Sequence, residues 1–143
     1  MKILVCVDVQ NMHLNEMKNA ISELKLSADD AIHLVHIFRR NVYADNFLVA
    51  TYPLEKDEPG IKESVIKSLE DLTSNLPQVS AKYQCECLFS ISPKESMVKY
   101  IEDHQINKTI IITRKKHNFF QSSFADFLLN NSQCDLNIVR VKD

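Results

Sequence analysis

The sequence predicts an α/β domain: a single doubly wound, Rossmann-like parallel sheet of five strands in the order 3-2-1-4-5, with helices on both faces. Three observations carry this. The chain has 143 residues, the length of one domain with no room for a second. Continuous apolar runs such as Ile3-Leu4-Val5-Cys6-Val7 and Ile110-Ile111-Ile112 have the composition of strands buried on both faces. Between such runs lie segments with apolar residues at helical spacing, and this alternation of strand and helix is what builds a parallel sheet.

Taken in order, Lys2 to Asp8 is an apolar strand closed by a carboxylate. From Asn11, the spacing of Leu14, Met17, Ala20, Ile21 and Leu24 predicts a helix of about four turns. Ala31 to Phe38 (AIHLVHIF) is the second strand, and it completes a β-α-β unit whose crossover is right-handed. Arg39 to Gly60 has no clean period and holds Pro53, Pro59 and the charged run Glu55-Lys56-Asp57-Glu58, so it reads as a long excursion with some helix around Tyr43 to Ala50. Ile61, Val65, Ile66, Leu69, Leu72 and Leu76 predict a second helix that Pro77 stops. Val79 to Phe89 is a third strand with Tyr83, Cys85, Cys87 and Phe89 on one face. Ser92-Pro93-Lys94-Glu95 is a capping box that opens a helix through Met97, Val98 and Ile101. Thr109 to Thr113 is the fourth strand; Ser123-x-x-Asp126 caps a last helix with Phe124, Phe127 and Leu128; Leu136 to Val141 is the fifth strand.

Composition removes whole classes of function. Average usage predicts roughly ten glycines in a chain of this length, and only Gly60 is present. P-loops, dinucleotide fingerprints and nucleophile elbows all need several glycines, so none can be written here. Lys and Arg number 17 against 19 Asp and Glu, which gives no bulk attraction to nucleic acid or anionic membrane. No run has the length of a signal core or a membrane span, so a cytoplasmic protein is expected. Cys6, Cys85, Cys87 and Cys134 have no C-x-x-C spacing and are expected to be reduced and largely buried, with no metal.

The run ILVCVDVQN after Lys2, LVHIF at 34–38, SISPKES at 90–96, TIIIT at 109–113 and the closing NSQCDLNIVRV together resemble the universal stress protein family over essentially the whole chain. Nucleotide-binding members carry a G-x2-G-x9-G-[S/T] loop after the fourth strand, whose glycines let the chain wrap ATP phosphates. Here Thr113-Arg114-Lys115-Lys116 stands in place of the first glycines and Ser122-Ser123 in place of the last Gly-Ser, with a shorter spacer between them. Only Asp8 matches the family's nucleotide contacts by residue type. The resemblance therefore implies the fold and a stress-response role, but not the ATP-binding branch. It also implies a homodimer through the fifth strand, with Leu136, Ile138 and Arg140 on the paired edge.

Asp8 stands where open α/β sheets place ligands. Its two readings are a contact to a ribose hydroxyl and, the one favoured here, a cap on the first turn of the following helix. Arg39 and Arg40 follow the second strand, while Arg114, Lys115, Lys116 and His117 follow the fourth, so a basic rim is expected at the carboxyl edge. Such a rim could hold a phosphate or another anionic small molecule through point charges and guanidinium forks, with Ser122 and Ser123 beside it; its bland alternative is a solvated charge run. His33 and His36 fall on opposite faces of their strand and read as structural. Phe119 and Phe120 are expected to plug the crevice that phosphates fill in nucleotide-binding relatives. No nucleophile, base and oxyanion arrangement can be assembled by local spacing, so no catalytic residue and no cofactor is assigned. The functional expectation is a dimeric, non-enzymatic stress-response module with a protein partner of unknown identity. The alternative is a nucleotide- or anion-binding protein, weakly hydrolytic at most, that uses Asp8 and the basic rim.

Overall fold

The computed structural model describes residues 1–114 and 118–141, excepting the side chains of 114 and 118–123. Along the chain come β1 (Lys2–Cys6), α1 (Leu14–Ser22), β2 (Ala31–Arg39), β3 (Asn41–Ala44), β4 (Val49–Tyr52), α2 (Glu58–Thr73), β5 (Lys82–Ser90), α3 (Pro93–Asp103), β6 (Lys108–Arg114), α4 (Asn118–Asn131) and β7 (Asp135–Val141). A single 3-10 turn, Glu55–Asp57, precedes α2.

The apolar run of β1 is central because it is buried on both faces and both edges. Ile3, Leu4 and Val5 have no solvent exposure, and Val5 lies opposite Leu34 of β2 on one side and Ile110 of β6 on the other, both in parallel. The main sheet runs β5-β2-β1-β6-β7, which is the expected order 3-2-1-4-5 when its five strands are counted along the chain. Period-two alternation divides the core. Ile3, Val5, Ile32 and Leu34 face Met17 and Ile21 of α1 and Leu69 of α2. Leu4 and Val35 face Met97 and Ile101 of α3 and Leu128 of α4. Each such Leu or Ile contributes about 1.5–3 kcal/mol by leaving water, so the sheet is held from both sides. Tyr83, Cys85, Cys87 and Phe89 share the α2 face as expected. Among the described residues no helix is long and apolar enough to cross a membrane.

Four local expectations are corrected. The helix expected around Tyr43 to Ala50 is a hairpin, β3 paired antiparallel with β4. Its cause is the Asp45-Asn46 tip: Asp45 Oδ1 accepts the N–H groups of Phe47 and Leu48 at 3.0 and 3.2 Å, which fixes a turn between two segments rich in β-branched and aromatic residues. The last helix starts at Asn118 rather than after a Ser123 cap, because no glycine or proline interrupts 115–131 and asparagine itself suits a helix start. In α1 the expected four turns shrink to nine residues, since 8–11 forms a turn of its own and His13 adopts a left-handed φ of 47°. The Ser92 capping box is not made. Instead Ser90 Oγ accepts the Ser92 N–H at 3.0 Å and the Ser96 hydroxyl, while Pro93 opens α3 as its fixed φ predicts.

Candidate functional site

The winding of the chain reverses between β1 and β6, and in open parallel sheets the crevice beyond the carboxyl ends at that point is where ligands bind. A cleft of about 420 Å³ occupies this place. Cys6, Val7 and Asp8 at the end of β1, His36 of β2, and Ile111 of β6 line its floor, with Pro93 and Met97 of α3 and Phe124 of α4 as walls. A larger depression, about 890 Å³, lies at the opposite end of the sheet between the turns that precede β6 and β7. Three of its polar side chains are engaged within the fold: Asn107 Oδ1 accepts the Lys2 N–H at 2.7 Å, and Asn131 and Ser132 donate to the Phe127 and Leu128 carbonyls at 2.8 Å, and it lies away from the switch point. The smaller cleft is therefore the better candidate.

Asp8 is exposed on the cleft rim. Its Oδ1 accepts the Gln10 N–H at 3.0 Å, so it closes the 8–11 turn rather than capping α1, which begins further on. His36 donates from Nδ1 to the Val7 carbonyl at 3.0 Å. A carbonyl can only accept, so the neutral ring carries its proton on Nδ1 and offers Nε2 as an acceptor. Burial, reinforced by Cys134, pushes the Cys6 thiol up to about 12, which leaves it protonated and unreactive at neutral pH.

The basic rim divides. Arg40 grips Glu58 with both arms of its fork, Nε to Oε1 at 2.6 Å and Nη2 to Oε2 at 2.8 Å, and its guanidinium lies 5.8 Å from the centre of the Phe89 ring. The hydrogen bond from Arg40 holds the Glu58 carboxyl below the usual range. Arg40 thus ties the end of β2 to the start of α2. Arg39 is exposed, opposite Ser90 of β5. Lys115, Lys116 and His117 lie outside the described residues, as do the side chains of Arg114, Phe119, Phe120, Ser122 and Ser123. The backbone of Ser122 and Ser123 is helical, so their N–H groups are spent within α4 and do not form a phosphate cradle. Of the aromatic residues after β6, Phe124 lines the cleft.

With this geometry in place, likeness to solved structures becomes informative. The structurally characterised hypothetical protein MJ0577 superposes with a TM-score of 0.68 at 19% identity, covering 99% of this chain and 96% of that one. The universal stress protein UspA from Lactobacillus plantarum gives 0.65 at 16%, covering 98% and 97%. A universal stress protein family protein from Arabidopsis thaliana with AMP bound gives 0.61 at 12%, covering 99% and 92%. The chain has the universal stress protein fold. No protein-family model matches the sequence, and no curated protein matches it.

Within this fold the structure adds a cluster that spacing did not reveal. His33 Nδ1 and the Tyr100 hydroxyl are 2.6 Å apart in the interior, and His104 stacks on Tyr100 with ring centres 3.9 Å apart. His33 Nε2 is buried without a partner. Tyr100 and His104 stand four apart on a helix, a legible pair, but His33 reaches them only through the tertiary fold. His33 turns to α3 and His36 to the Val7 carbonyl, the opposite orientations that alternation requires. All four cysteines are free, and burial raises the thiols of Cys85 and Cys87 to about 11. Among the described residues no group of three or more His, Cys, Asp or Glu is arranged to hold a metal.

Proposed function

We propose that this chain is a dimeric, non-enzymatic binding module built on the universal stress protein fold, and that it does not hold ATP. The bare end of the sheet carries this reading. β7 is an edge strand, and Ile138 on it is 49% exposed. An apolar edge left unpaired invites uncontrolled aggregation, and pairing with its own copy across a two-fold axis covers Leu136, Ile138 and Arg140 at once. The groups at the carboxyl edge of the sheet support the absence of catalysis and of ATP: the Cys6 thiol in the cleft is held protonated, Arg40 just after β2 is committed to Glu58, and Ser122 and Ser123 spend their backbone donors inside a helix. These residues do not fit a triphosphate.

A sedimentation experiment tests the dimer. Ile138→Lys, which places charges face to face across the axis, is expected to cut the sedimenting mass to half the parent's or less, or to precipitate if the exposed edge aggregates. A soluble species with the parent's mass overturns the β7 pairing.

One observation favours a second reading, in which the protein binds a nucleoside or small anion. The 420 Å³ cleft is at the switch point with Asp8 on its rim, and the Arabidopsis relative of this fold carries AMP. Adenine nucleotide retained through purification, and lost in Asp8→Ala, would establish it; an empty protein favours the first reading.

A further inference from the structure

The β3–β4 hairpin stands apart from the main sheet, and every residue of both strands is exposed. Phe47 is 94% exposed, Leu48 71%, Val49 74%, Tyr43 60% and Tyr52 57%. At about 200 Å² per aromatic side chain, the three rings alone present roughly 400 Å², and the aliphatic side chains bring the arm to roughly 700 Å². The largest apolar patch of an ordinary monomer is about 300–600 Å², while each partner in a stable protein interface contributes about 800 Å². A lone two-stranded hairpin is also marginal in water unless something packs on it. This apolar surface is divided between the two faces of the ribbon, Tyr43 and Tyr52 on one and Val42 and Val49 on the other, so a strand added at its edge extends both.

Charge and hydrogen-bond geometry select the occupant. From Asn46 to Leu54 there is no charged residue, whereas exposed edges are ordinarily blunted by lysine or other charges. Asp45, at the tip, spends Oδ1 on the turn. The Asp45 N–H bonds the Leu48 carbonyl at 2.9 Å, so the peptide groups of Leu48, Ala50 and Tyr52 point to β3. By alternation those of Val49 and Thr51 point outward. Only a two-fold axis perpendicular to the strands, passing beside Ala50, sets Val49 of one copy against Thr51 of another in an antiparallel pair. Both outward residues then exchange hydrogen bonds in both directions. The same register sets Leu48 against Tyr52, an aliphatic-aromatic pair of the kind that stabilises sheets. Centring one residue later would set Val49 against Pro53, which has no N–H to give.

We propose that the hairpin is a self-association arm, in which β4 pairs antiparallel with β4 of a second copy about Ala50. This surface is separate from β7 and does not depend on it. Together the two would link copies in pairs through different edges.

The test uses the full chain. Val49→Lys with Thr51→Lys sets lysine against lysine in the proposed register, and the arm lies outside the core, so the helical circular dichroism signal should be kept. Sedimentation at tens of micromolar should then give at most half the parent's mass. Ala50→Cys should form a disulfide-linked dimer under mild oxidation, and it should still do so in Ile138→Lys, which reads the arm apart from β7; Glu70→Cys on α2 should not. Unchanged mass in the double variant, or no Ala50→Cys cross-link, overturns the proposal. So would binding to phosphatidylcholine and phosphatidylglycerol vesicles that the double variant abolishes without a change in mass, because the arm would then face lipid.

Discussion

His33 sits in the interior with one ring nitrogen on the Tyr100 hydroxyl and the other without a partner. Burial, then the nearby His104 and Lys2, hold its protonation below the usual histidine range, because a charge there would be poorly solvated. The sign of the pH effect follows. Between the folded value and about 6.5, the unfolded chain takes up a proton at this site and the folded chain does not. The contribution is fully present above about pH 6.5 and is lost as pH falls through the folded value. The thermal midpoint should therefore drop on acidification from pH 7 to pH 5. The double variant His33→Leu with Tyr100→Phe, which removes both hydrogen-bonding partners together, should flatten that part of the profile. An unchanged slope would assign the acid sensitivity elsewhere. Single residues were only partly legible in the sequence. The apolar run of β1, and Asp8 at its end, could be located because strand and ligand-edge rules are local. The Arg40–Glu58 clasp and the His33–Tyr100 contact could not, because they join residues 18 and 67 positions apart that only the folded sheet brings together.

Elements buried on both sides were easy to read, and exposed ones were not. β1, β2 and β6 announce themselves by continuous apolar composition, and α3 by Pro93. The hairpin segment reads as helix in the sequence because its pattern is apolar without a burial period. Its real signal was the Asp-Asn pair between β-forming residues, which captures the backbone in a turn. The start of α2 also differs from the apolar pattern: the first periodic residue is Ile61, yet the helix begins at Glu58 with Pro59 in its first turn. Gly60 then lies inside a helix with a conventional φ, and a methyl group added there would meet nothing within 4 Å. Glycine in a helix costs about 0.5–1 kcal/mol relative to alanine. Gly60→Ala should therefore raise the thermal midpoint by about 1–4 °C. A fall in stability would mean that this position needs backbone freedom that the helix does not reveal.

At the scale of the whole molecule, the strand order and the two helical layers follow from alternation of buried strands with amphipathic helices, and the sequence contained both. The cleft at the switch point is a consequence of that topology, so its place was legible while its lining was not: Pro93, Met97, Ile111 and Phe124 come from three successive elements, α3, β6 and α4, which only tertiary packing sets against Asp8 at the end of β1. This convergence makes an apolar cleft with Asp8 on its rim. A fold shared with proteins that bind nucleotides is here joined to a segment after β6 without glycine and to a helix that starts at Asn118. Asp8 can offer a ribose one or two hydrogen bonds, a net of about 1–3 kcal/mol. A micromolar complex needs about 8 kcal/mol, beyond the cost of ordering and desolvating the triphosphate. Titration calorimetry with Mg-ATP and with AMP at tens of micromolar protein is therefore predicted to give no binding heat. A saturating isotherm that Asp8→Ala abolishes would contradict this and show that the cleft holds nucleotide without the glycine loop.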